Sequence, residues 1–525
     1  MTLTLGIEGT AWAASAAIFD SESNNISVET LPYSPVSGGL HPREAAEHMK
    51  ESLPVVIGKI FSQLERPPDV VAFSRGPGLG PCLRLCATSA RALSSTFNVP
   101  LVGVNHMLAH LEIGRHFSNF SSPICLNASG ANAHILGYQN GYYQVLGETM
   151  DTGVGNALDK FSRHVGWTHP GGPKIEKSAT NGSFFDLPYI VKGMDFSFSG
   201  ITTAAITEYD RGRPIEDICF SLQETIFSML AEVSERALSL LNCNELILGG
   251  GVGNNLRLKT ILSDMCNDRG AKFSAPEPSF LSDNAGMIAV LGTHMFKAGD
   301  TISIPDSHVL PNFRPDTVPV TWNVPPMDPI SNKTNFVRGA EALVEINEFS
   351  VSKQRRPKNY RNYQLDSRLR RERTNSEARL TSDARKLGIP TPIILGIDPA
   401  TSTLKLQKVG NMDLADCLTE PRVSAAIKHL SILHSHGMVH GDPTTRNIRI
   451  DTESNQAYLI DFGLGFYTDD IEDYAMDLHV FEASLRGTSP NYKFLWAAAK
   501  KTYELSGDLR VIKRLSEIEL RGRYH

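Results

Sequence analysis

The apolar positions of the first 325 residues fall into short runs separated by glycine-containing turns. Residues 3–7 and 14–19 are strand-like runs around one such turn, and residues 124–136 repeat the strand–turn–strand pattern. A third glycine-rich segment, residues 249–253, follows a short apolar strand, and a helix is predicted to begin at Leu256. Glycines that follow strands let backbone N–H groups approach a phosphate or a nucleoside closely.

The three turns together decide the predicted fold of this region. Any one of them could be an ordinary tight turn. Three such turns within one module predict instead a duplicated α/β fold, with a nucleotide bound in the cleft between its halves.

A proline-rich stretch divides the chain. Residues 301–330 hold seven prolines, a density that stops helices and excludes a central strand. After it come a strand-rich opening, a basic helical region and a second set of polar motifs. The sequence therefore predicts two modules, residues 1–324 and 333–525, joined by a linker over residues 325–332.

Composition excludes several classes of protein. The 525 residues are 41% hydrophobic and 21% charged, which is ordinary for globular domains and excludes wholesale disorder. No apolar run reaches the roughly 18 residues that span a bilayer, and no basic segment precedes an apolar stretch at the N-terminus. The seven cysteines include no Cys-x-x-Cys pair, which argues against a disulfide framework. We therefore expect a soluble, cytoplasmic protein with no membrane partner.

The net charge of -6 conceals a difference between the two modules. Residues 1–325 carry 22 basic and 31 acidic side chains, whereas residues 326–525 carry 29 and 26. Within the second module, residues 353–386 hold 12 basic and 4 acidic side chains. Such a run is often a solvated face. The alternative is a phosphate-binding surface, because clustered cations release counterions from a polyanion.

His106 and His110 are a candidate metal-binding pair. Positions i and i+4 share one face of a helix, although such a pair is only moderately specific. A metalloprotease of the H-E-x-x-H type needs a glutamate base where this chain has Met107, so that mechanism lacks its base. Asp283, between a proline-rich loop and a predicted helix, is the candidate third ligand. The alternative role for Asp283 is that of a helix N-cap.

The second module contains two motifs with the spacing of protein kinases, His-Gly-Asp442-Pro-Thr-Thr-Arg-Asn447 and Asp461-Phe-Gly. An aspartate and an asparagine five positions apart place a catalytic carboxylate beside a magnesium ligand, and the later aspartate binds the same metal. D-F-G alone is a weak signal, but the two motifs separated by a short predicted hairpin are a strong one.

The part of this module that precedes those motifs supplies a predicted ion pair. Lys353 on a strand would bind ATP phosphates, and Glu377 on a helix would be its partner. Arg338 and Gly339 lie where a protein kinase has its glycine-rich loop, and no Ala-Pro-Glu segment follows Asp461.

A larger set of motifs gives the first module a resemblance to a known family. The motifs are His106/His110, Ser129-Gly130, Gly155-Asn-Ala-Leu-Asp159, Gly171-Gly-Pro-Lys-Ile-Glu176, Phe196-Ser-Phe-Ser-Gly200, Gly250-Gly-Val with Asn255, Ser282-Asp283-Asn284 and Phe313-Arg-Pro-Asp316. Together they resemble the tRNA N6-adenosine threonylcarbamoyltransferase family (TsaD-like, the catalytic subunit of the KEOPS complex), whose members have an actin-like ATPase fold. The resemblance covers essentially residues 1–324.

The resemblance implies an activity and a set of site residues. The activity is transfer of a threonylcarbamoyl group from threonylcarbamoyl-AMP to N6 of adenosine 37 in tRNAs that read codons beginning with A. His106, His110 and Asp283 would bind one Fe²⁺ or Zn²⁺ ion, and Asn127, where many members have tyrosine, is the candidate fourth ligand. The residues implied in binding the adenylate are Asn127, Ala128, Ser129, Gly130, Ala131, Asp159, Gly172, Glu176 and Asn255.

The second module resembles the small atypical kinase/ATPase subunit of the same complex, the p53-related kinase family, and is expected to have a minimal bilobal α+β kinase-like fold. The resemblance implies that Asp442 is the catalytic base and that Asn447 and Asp461 bind Mg²⁺. ATP would be bound by Arg338, Gly339, Lys353 and Glu377. The implied role is ATP hydrolysis coupled to the transferase, with serine/threonine phosphorylation as an activity.

The leading hypothesis is therefore a bifunctional tRNA-modifying enzyme. Its expected partners are tRNA, threonylcarbamoyl-AMP, the synthase that supplies this intermediate and the small KEOPS subunits. Three alternatives remain open: a signalling kinase with a regulatory first module, a metallo-endopeptidase, and an actin-like sugar kinase. The last would leave the histidine pair unexplained.

Overall fold

The structure is a computed structural model that describes residues 2–33, 41–323 and 336–521. Within these ranges the chain forms two compact units. The first unit comprises residues 2–189 and 197–323, and the second comprises residues 190–196 and 336–521. The predicted linker over residues 325–332 lies outside the described residues.

The elements are numbered in chain order. The strands are β1 (Leu3–Glu8), β2 (Ala13–Asp20), β3 (Asn25–Pro32), β4 (Val70–Gly76), β5 (Leu101–Asn105), β6 (Ile124–Ala128), β7 (Ala133–Gln139), β8 (Tyr142–Glu148), β9 (Val191–Lys192), β10 (Asp195–Phe196), β11 (Glu245–Gly249), β12 (Lys272–Ser274), β13 (Phe336–Arg338), β14 (Leu343–Ile346), β15 (Ser350–Gln354), β16 (Ile394–Asp398), β17 (Thr403–Gln407), β18 (Met412–Asp413), β19 (Met438–Val439), β20 (Ile448–Asp451), β21 (Gln456–Leu459) and β22 (Phe466–Tyr467). The helices are α1 (Pro42–Phe61), α2 (Gly80–Phe97), α3 (His106–Ser118), α4 (Val154–His164), α5 (Gly172–Ala179), α6 (Ser199–Asp210), α7 (Ile215–Leu240), α8 (Leu256–Arg269), α9 (Pro278–Leu281), α10 (Ala285–Lys297), α11 (Tyr363–Lys386), α12 (Glu420–Ser435), α13 (Ile471–Thr488), α14 (Tyr492–Ser506) and α15 (Leu509–Arg521).

Two five-stranded sheets with the same topology form the first unit. Their strand orders are β3-β2-β1-β4-β5 and β8-β7-β6-β11-β12. In each, an antiparallel meander of three strands continues into two strands that run parallel to the first strand of the meander. This repetition is the duplicated α/β fold that the glycine turns predicted.

Helices α3 and α10 build much of the core of the first unit. Their apolar side chains, including Leu108, Leu111, Met287 and Val290, are fully buried in one cluster with residues from both sheets. Helix α10 lies close to β1 because Gly6 has no side chain; a Cβ there would lie 2.5 Å from the Ala285 carbonyl oxygen. The start of α10 therefore approaches the strand that ends at Glu8.

The second unit combines an antiparallel sheet with a helical part. The sheet has the order β13-β14-β15-β17-β16, and α11 packs on β16 and β17. Helices α12 to α15 surround a separate apolar cluster that includes Leu430, Phe462, Phe481 and Trp496. The unit is thus a mixed α and β structure, as expected, while its likeness to a kinase stays a prediction.

Two chain-wide observations bear on the composition. All seven cysteines are free. Among the described residues, no helix combines the length and the apolar character that crossing a membrane requires.

Candidate active sites

The two histidines lie at the start of α3, directly after β5. Asn105 caps the helix, since its Oδ1 accepts hydrogen bonds from the backbone N–H groups of Met107 (3.0 Å) and Leu108 (3.2 Å). His106 and His110 are one turn apart, and their ring centroids are separated by 4.9 Å. Both side chains are buried, so the helix turns the pair into the interior as the spacing predicted.

Asp283 completes a convergent set of ligand atoms. Its Oδ1 lies 3.4 Å from Nε2 of His106 and 3.2 Å from Nε2 of His110. One ligand atom from each of the three residues lies within 4.8 Å of the other two. The N-cap of α10 is the next residue, Asn284, whose side chain accepts from the Met287 N–H at 3.1 Å. Asp283 is therefore not needed as a cap and can serve as a ligand.

Glu8 orients the first histidine. Its side chain is completely buried, and Nδ1–H of His106 donates to Glu8 Oε2 at 3.0 Å. The other oxygen, Oε1, accepts from the Thr10 N–H (2.7 Å) and hydroxyl (2.5 Å). With Nδ1 donating to Glu8, Nε2 is directed at Asp283, and carboxylates in this position orient metal-binding histidines.

Sequence reasoning missed Glu8. It is 98 positions from His106, and nothing in the local pattern links the two residues. A weaker signal was present, because Glu8 is an acidic residue at the end of an otherwise apolar strand.

The electrostatics of this cluster favour a bound cation. Burial by itself lowers the pKa of His106, but the carboxylates of Glu8 and Asp283 outweigh burial and raise it to about 10. Burial raises the pKa of Asp283, yet the two imidazoles hold it well below its ordinary value. A metal binds the neutral form of imidazole, so a divalent cation would displace the proton of His106 and balance the two carboxylates of Glu8 and Asp283. The donor set thus fits a metal ion.

Asn127 lies at the end of β6. The residue is fully buried, and its Nδ2 donates weakly to Met107 Sδ at 3.6 Å. Its Oδ1 has no hydrogen-bond partner among the described residues. Gly250, with a φ of 85°, leaves room for this oxygen, since a Cβ there would lie 2.6 Å from it. An unsatisfied buried oxygen of this kind is available as a ligand.

The turn after β6 contacts the start of α4. Within the turn, Ser129 N–H donates to the Asn132 carbonyl at 2.9 Å. Gly155 N–H donates to the Ser129 carbonyl and Asn156 N–H to the Gly130 carbonyl, at 3.2 and 2.9 Å. The predicted turn residues Ala128 to Ala131 therefore continue from Asn127 to the segment that leads to Asp159.

Asp159, on α4, contacts the start of α5. Its Oδ1 accepts from the Gly171 N–H at 2.7 Å, and its Oδ2 accepts from Nδ1–H of His169 at 2.9 Å. Gly172 is the first residue of α5. The structure thus brings the predicted Asp159 and Gly172 together and adds His169, which the sequence did not indicate.

Glu176 and Asn255 meet at the start of α8. Glu176 lies one turn after Gly172 on α5, and its Oε1 accepts from the Leu256 N–H at 2.7 Å. Asn255 caps α8 through the Leu258 N–H (3.1 Å), and its Nδ2 donates to Gln223 Oε1 at 3.0 Å. Helix α5 therefore connects the predicted adenylate-binding residues that lie outside the glycine turn after β6, which are Asp159, Gly172, Glu176 and Asn255.

In the second unit, Lys353 contacts two carboxylates. Its Nζ lies 2.9 Å from Glu377 Oε1 and 2.6 Å from Asp461 Oδ1. Lys353 and Glu377 are buried. Burial by itself raises the pKa of Asp461, but Lys353 and Arg355 hold it below its ordinary value. The ion pair predicted from the sequence is present, on β15 and α11.

Arg355 is a second cation on the same glutamate, and the sequence analysis missed it. Its Nη2 lies 2.5 Å from Glu377 Oε2, and the residue is only 1% exposed. Burial lowers the pKa of its guanidinium, but Glu377, Glu341 and Asp461 together raise it. Since alternate residues of a strand share a face, the spacing of Lys353 and Arg355 was a usable signal.

The loop between β19 and β20 joins Asp442 to Asn447. Asn447 Nδ2 donates to the Asp442 carbonyl oxygen (2.9 Å) and to its Oδ2 (3.0 Å). The N–H of Ile460, the residue before Asp461, donates to the Asn447 carbonyl at 3.0 Å. This hydrogen bond places the start of the Asp461-Phe-Gly segment beside the loop. Buried Asp477 fixes the start of the loop by accepting from the N–H groups of His440 and Gly441.

The predicted ATP-binding pair Arg338 and Gly339 lies at the hairpin between β13 and β14. Gly339 N–H donates to the Ala342 carbonyl at 3.0 Å, which closes the turn. The side chain of Arg338 lies outside the described part of the chain. A role of this pair in binding ATP therefore stays a prediction.

The first unit defines a class of protein: a duplicated α/β fold with a histidine–aspartate set whose ligand atoms are close enough to hold a metal ion. The model of the family tRNA N6-adenosine threonylcarbamoyltransferase (TsaD) matches residues 24–290. The chain therefore belongs to the tRNA N6-adenosine threonylcarbamoyltransferase family. The family expected from the sequence, with its transferase activity in tRNA modification, is confirmed.

Full-length relatives cover both units. The chain is 59% identical over 532 residues to a probable bifunctional tRNA threonylcarbamoyladenosine biosynthesis protein of Haloquadratum walsbyi, with 99% of each chain covered. Proteins with the same description from Halobacterium salinarum and Methanospirillum hungatei are 57% and 47% identical, with at least 98% of each chain covered. The matches thus extend over both units of this chain.

Proposed function

We propose that the first unit transfers a threonylcarbamoyl group from threonylcarbamoyl-AMP to N6 of adenosine 37 in tRNAs that read codons beginning with A. We propose further that the second unit is an atypical serine/threonine kinase or ATPase that supports this transfer. The expected partners are the synthase that supplies threonylcarbamoyl-AMP and the small KEOPS subunits. The cytoplasmic location stays a prediction.

The observation that carries the proposal is the convergence of His106, His110 and Asp283 in one unit with the predicted adenylate-binding residues. The ligand atoms lie within 4.8 Å of one another, and β6 leads from Asn127 beside α3 to the glycine turn. This combination suits a substrate with a nucleotide at one end and an acyl group to be activated at the other.

Different residues of the first unit have different roles in the proposed transfer. Glu8 holds His106 so that its Nε2 faces the ligand position, and His110, Asp283 and Asn127 supply the other ligand atoms for Fe²⁺ or Zn²⁺. A metal ion held there supplies Lewis acidity and a template for the acyl–phosphate end of the substrate. The carboxylates of Asp159 and Glu176 are suited to accept hydrogen bonds from ribose hydroxyls.

The glycine turn has a separate role in binding the nucleotide. The segment from Ser129 to Ala131 would present backbone groups to the substrate, since Gly130 has no atom within 4 Å of where a Cβ would lie. Open space at that position lets a ligand approach the main chain closely. Gly172, at the start of α5, would do the same for the ribose or phosphate.

In the second unit, Lys353 would bind the ATP phosphates while Glu377 holds it in place. Asn447 and Asp461 would bind Mg²⁺, and Asp442 would act as the base toward the acceptor hydroxyl or water. The support for this is the ion pair at 2.9 Å and the Asp442–Asn447 hydrogen bond at 3.0 Å.

The transferase proposal is tested with synthetic threonylcarbamoyl-AMP and unmodified tRNA, with product nucleosides measured by mass spectrometry. Wild-type protein and its expected partners should give threonylcarbamoyladenosine, and His106→Ala should give none above background. The matched control is His164→Ala, since His164 is partly exposed and pairs with Asp210 at 2.7 Å. Normal product with His106→Ala would refute the role of the cluster.

The kinase proposal is tested by ATP hydrolysis and by phosphorylation of protein substrates. Asp461→Ala should abolish both, whereas the exposed Asp469→Ala should retain them. If the Asp461→Ala protein still hydrolysed ATP, the site of ATP hydrolysis would have to be assigned to the first unit.

A further inference from the structure

His434 is a polar residue buried in the helical part of the second unit. It lies on α12, one turn after Leu430 and next to Leu433, and both leucines are fully buried. A buried imidazole is costly unless its nitrogens make hydrogen bonds. An apolar side chain would fill the same space without that cost, so the histidine is explained by what its ring nitrogens bind.

Both ring nitrogens of His434 have a buried partner. Nε2 lies 3.2 Å from Asp477 Oδ2, and Nδ1 lies 2.7 Å from the hydroxyl oxygen of Tyr503. A carboxylate only accepts hydrogen bonds, so Nε2–H donates to Asp477 and Nδ1 is left to accept from the Tyr503 hydroxyl. Burial, together with Asp477, raises the pKa of Tyr503 well above its ordinary value, so this hydroxyl keeps the proton that it donates.

Tyr474 fixes the plane of the His434 ring. The two rings stack with centroids 5.0 Å apart and planes inclined by 23°. The Tyr474 hydroxyl donates to the Thr468 carbonyl at 2.5 Å, and the Thr468 N–H donates to the Gly437 carbonyl at 2.9 Å. The ring is therefore held between α13 and α14 with little freedom to turn.

Asp477 connects His434 to the loop that carries Asp442. Its Oδ2 also accepts from the His440 N–H at 2.7 Å, and its Oδ1 accepts from the Gly441 N–H at 2.8 Å. Gly441 has a φ of 82°, and a Cβ there would lie 2.2 Å from the Leu464 carbonyl oxygen, so this backbone has little room to adjust. The orientation of the Asp477 carboxylate therefore determines where the residue before Asp442 lies.

We propose that His434 and Tyr503 are positioning residues of the active site of the second unit. Tyr503 on α14 holds His434 on α12, and His434 holds the Asp477 carboxylate on α13 in the orientation that binds the loop. Three side chains from three helices thus form one hydrogen-bonded chain that ends at the residue before Asp442. The inference rests on the proposed kinase or ATPase function, in which Asp442 is the base.

The test compares His434→Phe with His434→Gln in the full-length protein. Phenylalanine keeps an aromatic ring beside Tyr474 but cannot bind Asp477, whereas glutamine can place an N–H near the position of Nε2. The kcat and the KM for ATP are measured separately, and calorimetric unfolding gives the fraction of folded second unit.

Two matched controls and one milder variant accompany this pair. The controls are His436→Gln, at the exposed end of α12, and Tyr492→Phe, on the same helix as Tyr503. Tyr503→Phe removes only the hydroxyl, so it tests the outer end of the chain with the least change in packing.

We expect the kcat of His434→Phe, per folded protein, to fall about 10- to 100-fold, because a small displacement of a catalytic group costs that much. The KM for ATP should change by less than about 2-fold, since Lys353 and Glu377 are untouched. His434→Gln should retain most of the kcat, Tyr503→Phe should lose a smaller part of it than His434→Phe, and both controls should match the wild type.

A purely structural role predicts the opposite order of the two His434 variants, because phenylalanine preserves the stacking that glutamine loses. A kcat for His434→Gln as low as that of His434→Phe, or lower, would therefore overturn the proposal. So would wild-type kcat values in both His434→Phe and Tyr503→Phe.

Amide hydrogen exchange of residues 440–447 gives a second reading that does not depend on catalysis. His434→Phe should free the N–H groups that bind Asp477, so this segment should exchange faster than in the wild type or in His436→Gln. Unchanged exchange would overturn the positioning role. Wild-type protein that hydrolyses no ATP and phosphorylates no protein would instead refute the proposed function of the unit, and the exchange result would still stand.

Discussion

Two clusters of ionisable side chains, each with buried members, compensate their charges differently. We call them the histidine cluster (Glu8, His106, His110 and Asp283) and the lysine cluster (Lys353, Arg355, Glu377 and Asp461). In the lysine cluster two cations face two carboxylates, so its charges balance within the chain. In the histidine cluster two carboxylates surround two imidazoles, and the balancing charge must come from a proton or a metal ion.

This contrast indicates what each cluster is built to do. The ligand atoms of the histidine cluster converge on one point, which is the arrangement of a metal site. Under the proposed kinase function, the lysine cluster would hold its lysine and aspartate in position for a nucleotide with its metal. The predictions below test whether the first cluster depends on an added ion and the second does not.

The largest effect is expected from Glu377→Ala. This change leaves two cations, Lys353 and the fully buried Arg355, without the carboxylate they share, which should cost about 3–5 kcal/mol of stability. Calorimetric unfolding of the second unit measures it, and ATP hydrolysis should disappear as well. Glu372→Ala, exposed on the same helix, is the control. A cost below about 1 kcal/mol would show that the lysine cluster is not held together by its charges.

Removal of metal should affect the first unit next most strongly. At a free metal concentration about 100 times its dissociation constant, binding stabilises the folded unit by about 2.7 kcal/mol, and a chelator should remove this contribution. Calorimetry with and without chelator measures the shift, which should be absent from Asp283→Asn and from the transition of the second unit. An equal shift in Asp283→Asn would place the metal elsewhere.

A smaller decrease is expected from Glu8→Gln. The amide is nearly isosteric but cannot support the His106 imidazole as a carboxylate does, so metal affinity should fall about 10- to 100-fold. Titration with Co²⁺, followed by its visible absorption, measures affinity independently of catalysis. The exposed Glu22→Gln should bind Co²⁺ as the wild type does. Unchanged affinity in Glu8→Gln would leave Glu8 with a purely structural role.

The smallest effect is expected from Asn127→Ala. Its Oδ1 makes no hydrogen bond within the described residues, so stability should change by no more than about 1 kcal/mol. Co²⁺ should nevertheless bind several-fold more weakly, and its absorption spectrum should change, because one oxygen ligand is removed. An unaltered spectrum would show that Asn127 is not a ligand and that the metal has three protein ligands, His106, His110 and Asp283.

Much of both sites was predictable because the relevant residues are close in sequence. The four-residue spacing of His106 and His110 determines that they share a helical face, whatever the rest of the fold does. The five-residue spacing of Asp442 and Asn447 likewise lies within one loop, where the hydrogen bond between them forms. Repeated glycine turns indicated the duplicated sheets for the same reason, since turn chemistry is local.

Long-range partners were not predictable in this way. Asp283 was the candidate third ligand, with a helix N-cap as its alternative role, and the capping of α10 by neighbouring Asn284 favours the first. Glu8 is 98 positions from His106, and no local pattern links the two residues. The spacing of Arg355 placed it on the same strand face as Lys353, but only the folded chain shows that both contact Glu377.

The amino-acid sequence was therefore sufficient to predict the family, many of the elements and the residue types available for chemistry. The family was predicted from the resemblance of a set of motifs, whereas the elements depend on periodicity, turn residues and spacing over a few positions. Which carboxylate orients which imidazole, and how many cations share Glu377, became visible only in the folded chain. These pairings depend on the close approach of α10 to β1 and on the pairing of β15 with its neighbours. A buried charged side chain pairs with whichever opposite charge the packing places beside it, and that neighbour can be distant in sequence.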